Sequence, residues 1–386
     1  MRGTVAALAA FLLISIPIAA SAQMSAGDLM KSGGPRPGEL IGSIPIENAP
    51  GDMRAWHITY WTTDGEGRSI RASGIVAAPH EPTARPRDIL AWTHGAWGVT
   101  ERCAPSLSPN FWKMTPGLDG VRRGYVVVAP DYPGLGSKGA HPFLVGEDTG
   151  RSVLDAVRAA RFIPSATAGS RFAVWGESQG GHAALWTGQI AKSYAPELQL
   201  VGVAAAAPPT DLVRNLQYNP DGPVQTLFKA FIGYSWSQQY KAPLATLGGG
   251  QTRGIVTKLA KKNCIELEST PRLGTIAGIL TLQSRWKGVD MGSIEPWAGL
   301  ARTNSPTTAA FGVPLLIGQN PKDELISPDV TKAHAQALCR AGAPLYYMTI
   351  NGAGHATSAR DSASDTLDWI SDRFASHRPP TNCGRF

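Results

Sequence analysis

The sequence predicts an α/β fold with a mostly parallel sheet flanked by helices and an inserted helical cap. Three observations support this prediction. Short apolar runs, typical of strands buried on both faces, alternate with segments of helical periodicity. The alternation stops at residues 210–308, where strand signals nearly vanish, and then resumes. One apolar run leads directly into the pentapeptide GESQG at 176–180, which a helical run follows.

The N-terminus has the pattern of a secretory signal peptide, predicted to span residues 1–22. Arg2 precedes a predominantly apolar run at 5–20, and the tripeptide ASA at 20–22 is a typical cleavage site. A membrane anchor is the alternative, but the apolar run is short and ends in the cleavage motif. No other stretch approaches about 18 consecutive apolar residues, so we expect a secreted or periplasmic protein whose mature chain has no integral membrane segment.

The first part of the core is predicted at 23–209 and begins with an extended arm, rich in glycine and proline, at 23–50. Two runs of β-branched and aromatic residues, separated by DGEG at 64–67, predict an antiparallel hairpin. Continuous apolar runs and helical periods then predict a parallel sheet covered by helices. These elements are the hairpin strands 54–63 and 69–78, the strands 88–93, 125–129, 172–175 and 200–207, and the helices 148–162 and 182–193.

Residues 210–308 are predicted to form a cap, or lid, because helical segments between proline and glycine turns replace the strands. We expect its apolar side chains to roof a pocket on one face and to pack the cap against the sheet on another. The core then resumes at 309–386. The predicted elements are the cap helices 224–232, 253–262 and 273–283, the strands 313–318 and 345–350, and the helices 328–340 and 361–376.

The order of strand, GESQG and helix is the pattern of a nucleophile elbow. A serine on such a tight turn projects its hydroxyl from the sheet edge, and the turn leaves no room for side chains two residues to either side. Gly176 and Gly180 meet this requirement, so Ser178 is the predicted nucleophile. A chance match in a chain with 43 glycines is the alternative, which the flanking strand and helix disfavour.

A serine hydroxyl needs a base to take its proton and a carboxylate to orient that base. Along the chain after a nucleophile elbow, the acid comes first and the histidine second, each on a loop that follows a strand. Asp323 follows the strand at 313–318 and is the predicted acid. Glu324 and Asp329 lie near the same strand end and are the alternatives.

His355 is the predicted base, because it follows the last strand and its neighbouring glycines let the loop turn back towards Ser178. His182 lies one helical turn after Ser178, but it precedes the acid and is held on a helix, so we expect a structural role. His334 lies inside a predicted helix and is expected to be a surface or packing residue.

Two backbone N–H groups are needed to stabilise the oxygen that becomes negative when a serine attacks a carbonyl. Gln179, the residue after the nucleophile, is expected to supply one of them. The loop HGAWG at 94–98 is expected to supply the other, with Ala96 favoured over Gly95 and Trp97. The alternative is that this loop is only a turn.

Four cysteines in an exported chain predict two disulfides, and the sequence alone does not choose among the three possible pairings. Cys339 and Cys383 both lie late in the chain, which favours pairing them with each other and Cys103 with Cys264. Free thiols are the alternative.

The formal charge of +7 is modest for 386 residues, and the basic residues are scattered apart from Lys258, Lys261 and Lys262. Basic and aromatic residues do not interleave, so a nucleic-acid partner is not expected. The sequence has no H-E-x-x-H, no P-loop and no G-x-G-x-x-G that opens a helix after a strand. Neither a metal nor an organic cofactor is therefore expected.

Several of these segments together resemble the secretory lipase family, the yeast lipase A type and its bacterial relatives. The matching segments are THGAWG, CAPS at 103–106, DYPGLG, GESQGGHAA, APP before the cap and LC at 338–339. The resemblance implies an α/β-hydrolase core, a cap that acts as a lid, the three catalytic residues favoured above and the same two disulfides. Asn320 and Pro321, just before the acid, depart from the family, whose members often have glycine there.

The sequence therefore predicts an exported serine carboxylic-ester hydrolase, a lipase or esterase that acts through an acyl-enzyme. A small-molecule or lipid ester is the expected substrate, and a lipid–water interface is a further candidate partner. A serine peptidase or acyltransferase on the same scaffold is the alternative. A non-catalytic binding protein is less favoured, because all three triad positions are filled. Since the family acts on diverse carboxylic esters, the substrate stays open.

Overall fold

A sheet of nine strands organises residues 35–386. The computed structural model describes residues 34–51, 53–219, 221–266 and 270–386, so the predicted signal peptide at 1–22 lies outside the described residues. The strands are β1 (Leu40–Pro45), β2 (Met53–Thr63), β3 (Ser69–Pro79), β4 (Arg87–Thr93), β5 (Val126–Pro130), β6 (Ala168–Glu177), β7 (Gln199–Ala206), β8 (Leu315–Gln319) and β9 (Leu345–Thr349).

The spatial order of the strands is β1-β2-β3-β5-β4-β6-β7-β8-β9. The three pairs from β1 to β5 are antiparallel, and the five pairs from β5 to β9 are parallel. In β5 every residue is buried, as expected for a strand covered on both faces. The predicted fold class is confirmed.

Helices cover both faces of this sheet. Val153 and Val157 of one helix pack on one face, and Leu367 and Ile370 of the last helix pack on the other. This layering confirms the predicted α/β arrangement. The helices are α1 (Asp119–Arg122), α2 (Gly146–Ala160), α3 (Gln179–Tyr194), α4 (Leu212–Gln217), α5 (Pro223–Gln239), α6 (Gly250–Lys262), α7 (Leu273–Arg285), α8 (Trp297–Asn304), α9 (Pro328–Arg340), α10 (Ser358–Asp361) and α11 (Ala363–Phe374).

Helices α4 to α8 lie between β7 and β8 and have an apolar core of their own, in which Phe231, Trp236 and Trp297 are fully buried. They fall within the stretch 210–308, whose boundaries as a cap domain stay a prediction. None of the helices in the described part of the chain is long and apolar enough to cross a lipid bilayer.

Two disulfides, Cys103–Cys264 and Cys339–Cys383, are the pairs that chain position favours. The first joins the loop after β4 to the segment that follows α6. There a β-bridge joins Gly98 to Cys264, and the Ile265 N–H donates to the Trp97 carbonyl at 2.8 Å. The cap is thus tied covalently and by backbone hydrogen bonds to the loop that contains Ala96.

One strand and several helices differ from the prediction. The arm predicted at 23–50 contains β1, which pairs antiparallel with β2. Because β1 is an edge strand with five of its six residues exposed, its sequence has no apolar alternation to reveal it. Helices α1, α4, α8 and α10 were not predicted. The last helix, predicted at 361–376, is α11 and begins at Ala363.

Candidate active site

Ser178 lies on a strained turn between β6 and α3. Its φ of 54° and ψ of −120° are unfavourable for a residue with a side chain. A Cβ on Gly180 would lie 1.9 Å from the Thr93 carbonyl oxygen, and a Cβ on Gly176 would lie 1.9 Å from Thr93 Oγ1. The turn is thus pressed against the end of β4, which is why these two positions require glycine.

Ser178, His355 and Asp323 form a hydrogen-bonded chain. His355 Nδ1 lies 2.8 Å from Asp323 Oδ2, and His355 Nε2 lies 2.8 Å from Ser178 Oγ. Because an ionised carboxylate only accepts, Nδ1–H donates to Asp323, which leaves Nε2 to accept from the serine hydroxyl. The structure thus brings together the three side chains that the sequence analysis favours, in an arrangement suited to removing a proton from Ser178.

The carboxylate of Asp323 is held by four donors. Oδ1 accepts from the N–H groups of Leu325 (2.9 Å) and Ile326 (2.8 Å), and Oδ2 accepts from His355 and from Gln319 Nε2 (2.9 Å). This carboxylate is almost fully buried. A buried carboxylate with every lone pair engaged cannot rotate away from the histidine.

The alternatives for the acid lie elsewhere. Glu324 lines an open cleft, and Asp329 lies in the first turn of α9. Asn320 accounts for the departure from the family pattern, since its Oδ1 accepts from the Lys322 N–H at 2.8 Å and shapes the turn before Asp323.

The electrostatic surroundings of His355 favour its protonated form. Burial alone lowers its pKa, but the hydrogen bond and charge of Asp323, together with the charges of Glu177 and Glu324, outweigh burial. The pKa of His355 is therefore raised. An imidazolium that forms when the serine gives up its proton is stabilised in this environment.

Glu177 is a functional candidate that the sequence analysis did not single out. It precedes the predicted nucleophile, and its Oε1 accepts from the Ala359 N–H at 3.1 Å. Burial raises the pKa of Glu177 to about 7, an effect that this hydrogen bond and the charge of His355 only partly offset. Nothing local in the sequence reveals this shift, because it depends on α10 covering the side chain.

His141 is a second residue that the sequence analysis did not identify. Its Nδ1 lies 3.0 Å from the Pro133 carbonyl oxygen, so Nδ1–H donates there, and Nε2 accepts from the Gln179 side-chain amide at 2.8 Å. Burial lowers the pKa of His141 to about 3, which keeps the ring neutral. The residue after the nucleophile is therefore held from its side-chain end.

The two loops expected to stabilise an oxyanion meet beside Ser178. Ala96, Ser178 and Gln179 line the same narrow cavity. A Cβ on Gly95 would lie 3.8 Å from Ser178 Cβ, so the loop after β4 runs alongside the serine. Trp97, by contrast, lines a neighbouring cleft and uses its carbonyl to hold Ile265.

The remaining histidine candidates lie away from the serine hydroxyl. His182 Nε2 donates to the Asn304 carbonyl oxygen at 2.7 Å, which ties α3 to the end of α8. Burial lowers the pKa of His182 to about 4. His334 is buried on α9. The hydrogen bond of His182 is a structural contact, and His334 packs inside the protein.

Two cavities of different character reach Ser178. The first is narrow, has a volume of about 50 Å³ and extends into the cap. Its lining is mostly apolar and includes Phe143, Leu212, Phe228, Ile232, Leu325 and Ile326. The second is an open cleft of about 500 Å³ lined by Trp92, Trp97, Met114, Glu177, Glu266, Glu324 and His355. Among the described residues no cluster has the geometry of a metal site.

Known lipases are similar to this chain in sequence and fold. The family model described as Secretory lipase matches residues 116–236. Lipase A of Moesziomyces aphidis is 24% identical over 378 residues, a match that covers 90% of this chain and 78% of that protein. The chain is thus similar to the secretory lipase family. The matched relatives are named lipases, so the predicted enzyme class, a carboxylic ester hydrolase, is confirmed.

A solved structure has the same fold. The closed state of Candida antarctica lipase A superposes with a TM-score of 0.74 at 20% identity, which covers 91% of this chain and 85% of that one. At this identity the likeness establishes the fold. A protein of Mycobacterium tuberculosis named probable inactive lipase is 25% identical over 371 residues and covers 88% of this chain and 79% of that protein. Family membership alone therefore does not establish activity.

Proposed function

We propose that this chain is a member of the secretory lipase family and an active serine hydrolase of carboxylic esters that works through an acyl-enzyme. The observation that carries the proposal is the continuous hydrogen-bonded chain from Ser178 through His355 to Asp323. An inactive relative would not need all three side chains at hydrogen-bonding distance. No bound metal or organic group is required for this chemistry.

In the proposed reaction, Ser178 Oγ attacks the ester carbonyl while His355 Nε2 takes the hydroxyl proton. The carbonyl oxygen becomes negative and accepts from the Gln179 N–H and from an N–H of the loop at Ala96. His355 then gives its proton to the departing alcohol, which leaves the acyl group on Ser178. A water molecule, deprotonated by His355, attacks this acyl-enzyme and releases the acid. Asp323 orients the imidazole and stabilises its charge throughout.

We assign the acyl group to the narrow cavity and the alcohol to the open cleft. An apolar lining stabilises a hydrocarbon chain, whereas the cleft has three carboxylates, Glu177, Glu266 and Glu324, and room for water. A cavity of about 50 Å³ admits only a slender chain. Short, unbranched acyl groups on varied alcohols are therefore the preferred substrates unless the cap moves.

Export is part of the same proposal. The family description and the predicted signal peptide at 1–22 support it. Two disulfides are consistent with folding in an oxidising compartment, secreted or periplasmic. N-terminal sequencing of the exported protein should find Gln23 as the first residue.

Replacement of the nucleophile tests the chemistry. Ser178→Ala should lower kcat for short p-nitrophenyl esters by about 10⁴- to 10⁶-fold and abolish labelling by a fluorophosphonate probe. Ser193→Ala, an exposed serine at the end of the same helix, is the matched control and should leave both readouts unchanged. Full activity in Ser178→Ala, or a wild-type protein that is neither active nor labelled, would refute the proposal.

The same assays separate the alternative chemistries. Faster turnover of peptides than of esters of matched acyl groups would identify a peptidase. Transfer of the acyl group to an added alcohol in preference to water would identify an acyltransferase. An acyl-length series then tests the assignment of the narrow cavity, because kcat/KM should fall once the chain exceeds that cavity.

A further inference from the structure

Helix α7 carries an exposed apolar stripe that the proposed reaction does not use. Leu273, Ile276 and Leu280 are 86%, 42% and 59% exposed. Their spacing of three and four residues places them on one face of the helix. Leu282, on the opposite face, is fully buried against the other cap helices. The helix is thus held to the cap by one face and presents an apolar face to solvent.

Cations flank this stripe. Arg272 directly precedes Leu273, Arg285 closes the helix and Lys287 follows it, all of them exposed. The neighbouring helix α6 adds four exposed cations and, like α7, contains no acidic residue. These four are Arg253, Lys258, Lys261 and Lys262.

The two helices form one unit. Arg285 donates to Gln251 Oε1 in the first turn of α6, and Thr275 Oγ1 donates to Asn263 Oδ1 at its end. A Cβ on Gly278 would lie 3.1 Å from Leu259, so the helices are also closely packed. The apolar stripe and the basic residues therefore belong to the same rigid part of the cap.

This part of the cap also adjoins the open cleft. Gln283 Nε2 donates to the Asp221 carbonyl oxygen. The chain around Asp221 supplies Asn219, Gly222 and the exposed Val224 to the lining of that cleft. A surface in contact with α7 would thus lie close to an entrance that leads to Ser178.

We propose that the α6–α7 face docks the protein on a lipid surface that contains anionic phospholipid. The apolar stripe would enter the boundary between head groups and acyl chains, while the cations approach the phosphates. A second copy of this chain is the other possible occupant. A symmetric dimer would bring two basic surfaces of like charge together, which disfavours it. The inference deepens the proposed function for esters presented in a lipid layer.

Vesicle binding tests the docking face separately from hydrolysis. Sedimentation with vesicles of phosphatidylglycerol and phosphatidylcholine in equal parts is measured for the full chain in the Ser178→Ala background, so that no ester is consumed. The triple substitution Leu273→Ser, Ile276→Ser and Leu280→Ser should weaken binding about tenfold or more. Three exposed apolar residues elsewhere give the matched control, which should bind normally: Ile44→Ser, Leu107→Ser and Phe162→Ser.

A second set of variants tests the charge. Replacing Lys262, Arg272 and Lys287 with Gln should weaken binding to these vesicles about 100-fold, since each cation near an anionic surface contributes about 1 kcal/mol. Added salt should also weaken binding to these vesicles, because it screens the attraction between the cations and the phosphates. The control replaces three of the exposed lysines away from α6 and α7 with Gln and should have little effect. Those lysines are Lys138, Lys192 and Lys332.

The outcomes distinguish the proposals. Equal binding of wild type and the apolar triple variant, or equal binding to vesicles of phosphatidylcholine alone, would overturn the docking proposal. A dimer in sedimentation velocity that the triple variant abolishes, without any vesicle binding, would overturn it in favour of a second copy. With Ser178 intact, the triple variant should hydrolyse a soluble short ester at the wild-type rate. If ester hydrolysis is absent while vesicle binding persists, the proposed function fails and the docking proposal stands.

Discussion

Glu177→Gln should make the folded protein more stable at alkaline pH than wild type. Glu177 has a pKa of about 7 in the folded protein against an ordinary value of 4.5, because burial opposes its charge. A raised carboxyl pKa means that the folded state holds this proton more tightly than the unfolded state does. The stability that follows is present below about pH 4.5 and is lost as the pH rises through about 7.

The size of this loss follows from the shift. The pKa of Glu177 is about 2.5 higher in the folded protein than its ordinary value, which corresponds to about 3 kcal/mol in the free energy of unfolding. Because the side chain is partly exposed, the expected effect is about 2–3 kcal/mol. Glutamine keeps the acceptor for the Ala359 N–H and has no charge to bury. Above pH 8 the variant should therefore exceed wild type by about 2–3 kcal/mol more than it does below pH 4.5.

Urea unfolding of wild type and variant at several pH values, with the disulfides intact, measures how their difference in stability changes with pH.

The same substitution removes one of the charges that raise the pKa of His355. Since the reaction needs neutral His355, activity rises with pH through that pKa, and the acidic limb of kcat/KM should move to lower pH in the variant. A stability difference that is independent of pH, together with an unmoved limb, would refute the reasoning about Glu177.

Three further substitutions test other parts of the site. Asp323→Asn should lower kcat for short esters about 10⁴-fold with little change in KM, because the imidazole loses its orienting acceptor. Steady-state kinetics measures this, and turnover at the wild-type rate would contradict it. Gly180→Ala should abolish activity and destabilise the fold by about 3 kcal/mol or more, because its Cβ would meet the Thr93 carbonyl. Thermal unfolding measures the loss of stability, and Gly254→Ala, on the open face of α6, is the control that should unfold like wild type. Replacing Cys103 and its partner with Ser should cost about 5 kcal/mol, since this disulfide closes 161 residues, and urea unfolding checks that figure.

The elements that the sequence predicted correctly are those whose signal is local. The run at 125–129 is apolar throughout because both faces of β5 are covered, and this pattern is visible without knowing what covers it. The role of the glycines at 176 and 180 could be predicted for the same reason, because the turn itself leaves no room for a side chain at these positions. Edge strand β1 is exposed and pairs through its backbone, so the pattern of its side chains does not predict a strand there.

The features that escaped prediction depend on contacts between distant parts of the chain. His141 and Gln179 are 38 residues apart, and their hydrogen bond exists only because the loop after β5 passes α3. The pKa of Glu177 depends on coverage by a helix that lies far along the chain. The sequence favoured Asp323 as the acid over Glu324 and Asp329, but it did not reveal the backbone N–H groups of Leu325 and Ile326 that hold the Asp323 carboxylate in place.

The link between Cys103 and Cys264 has a consequence for engineering. It fastens the middle of the helical insertion, just after α6, to the loop that follows β4, so the insertion cannot be exchanged as an independent cassette. A chimera that transplants helices from another lipase would need to retain the cysteine at 264 and the β-bridge next to it. Recombinant production in a host that keeps thiols reduced would yield chains in which this segment lacks its covalent link and keeps only its non-covalent contacts, among them the β-bridge and the Ile265 hydrogen bond.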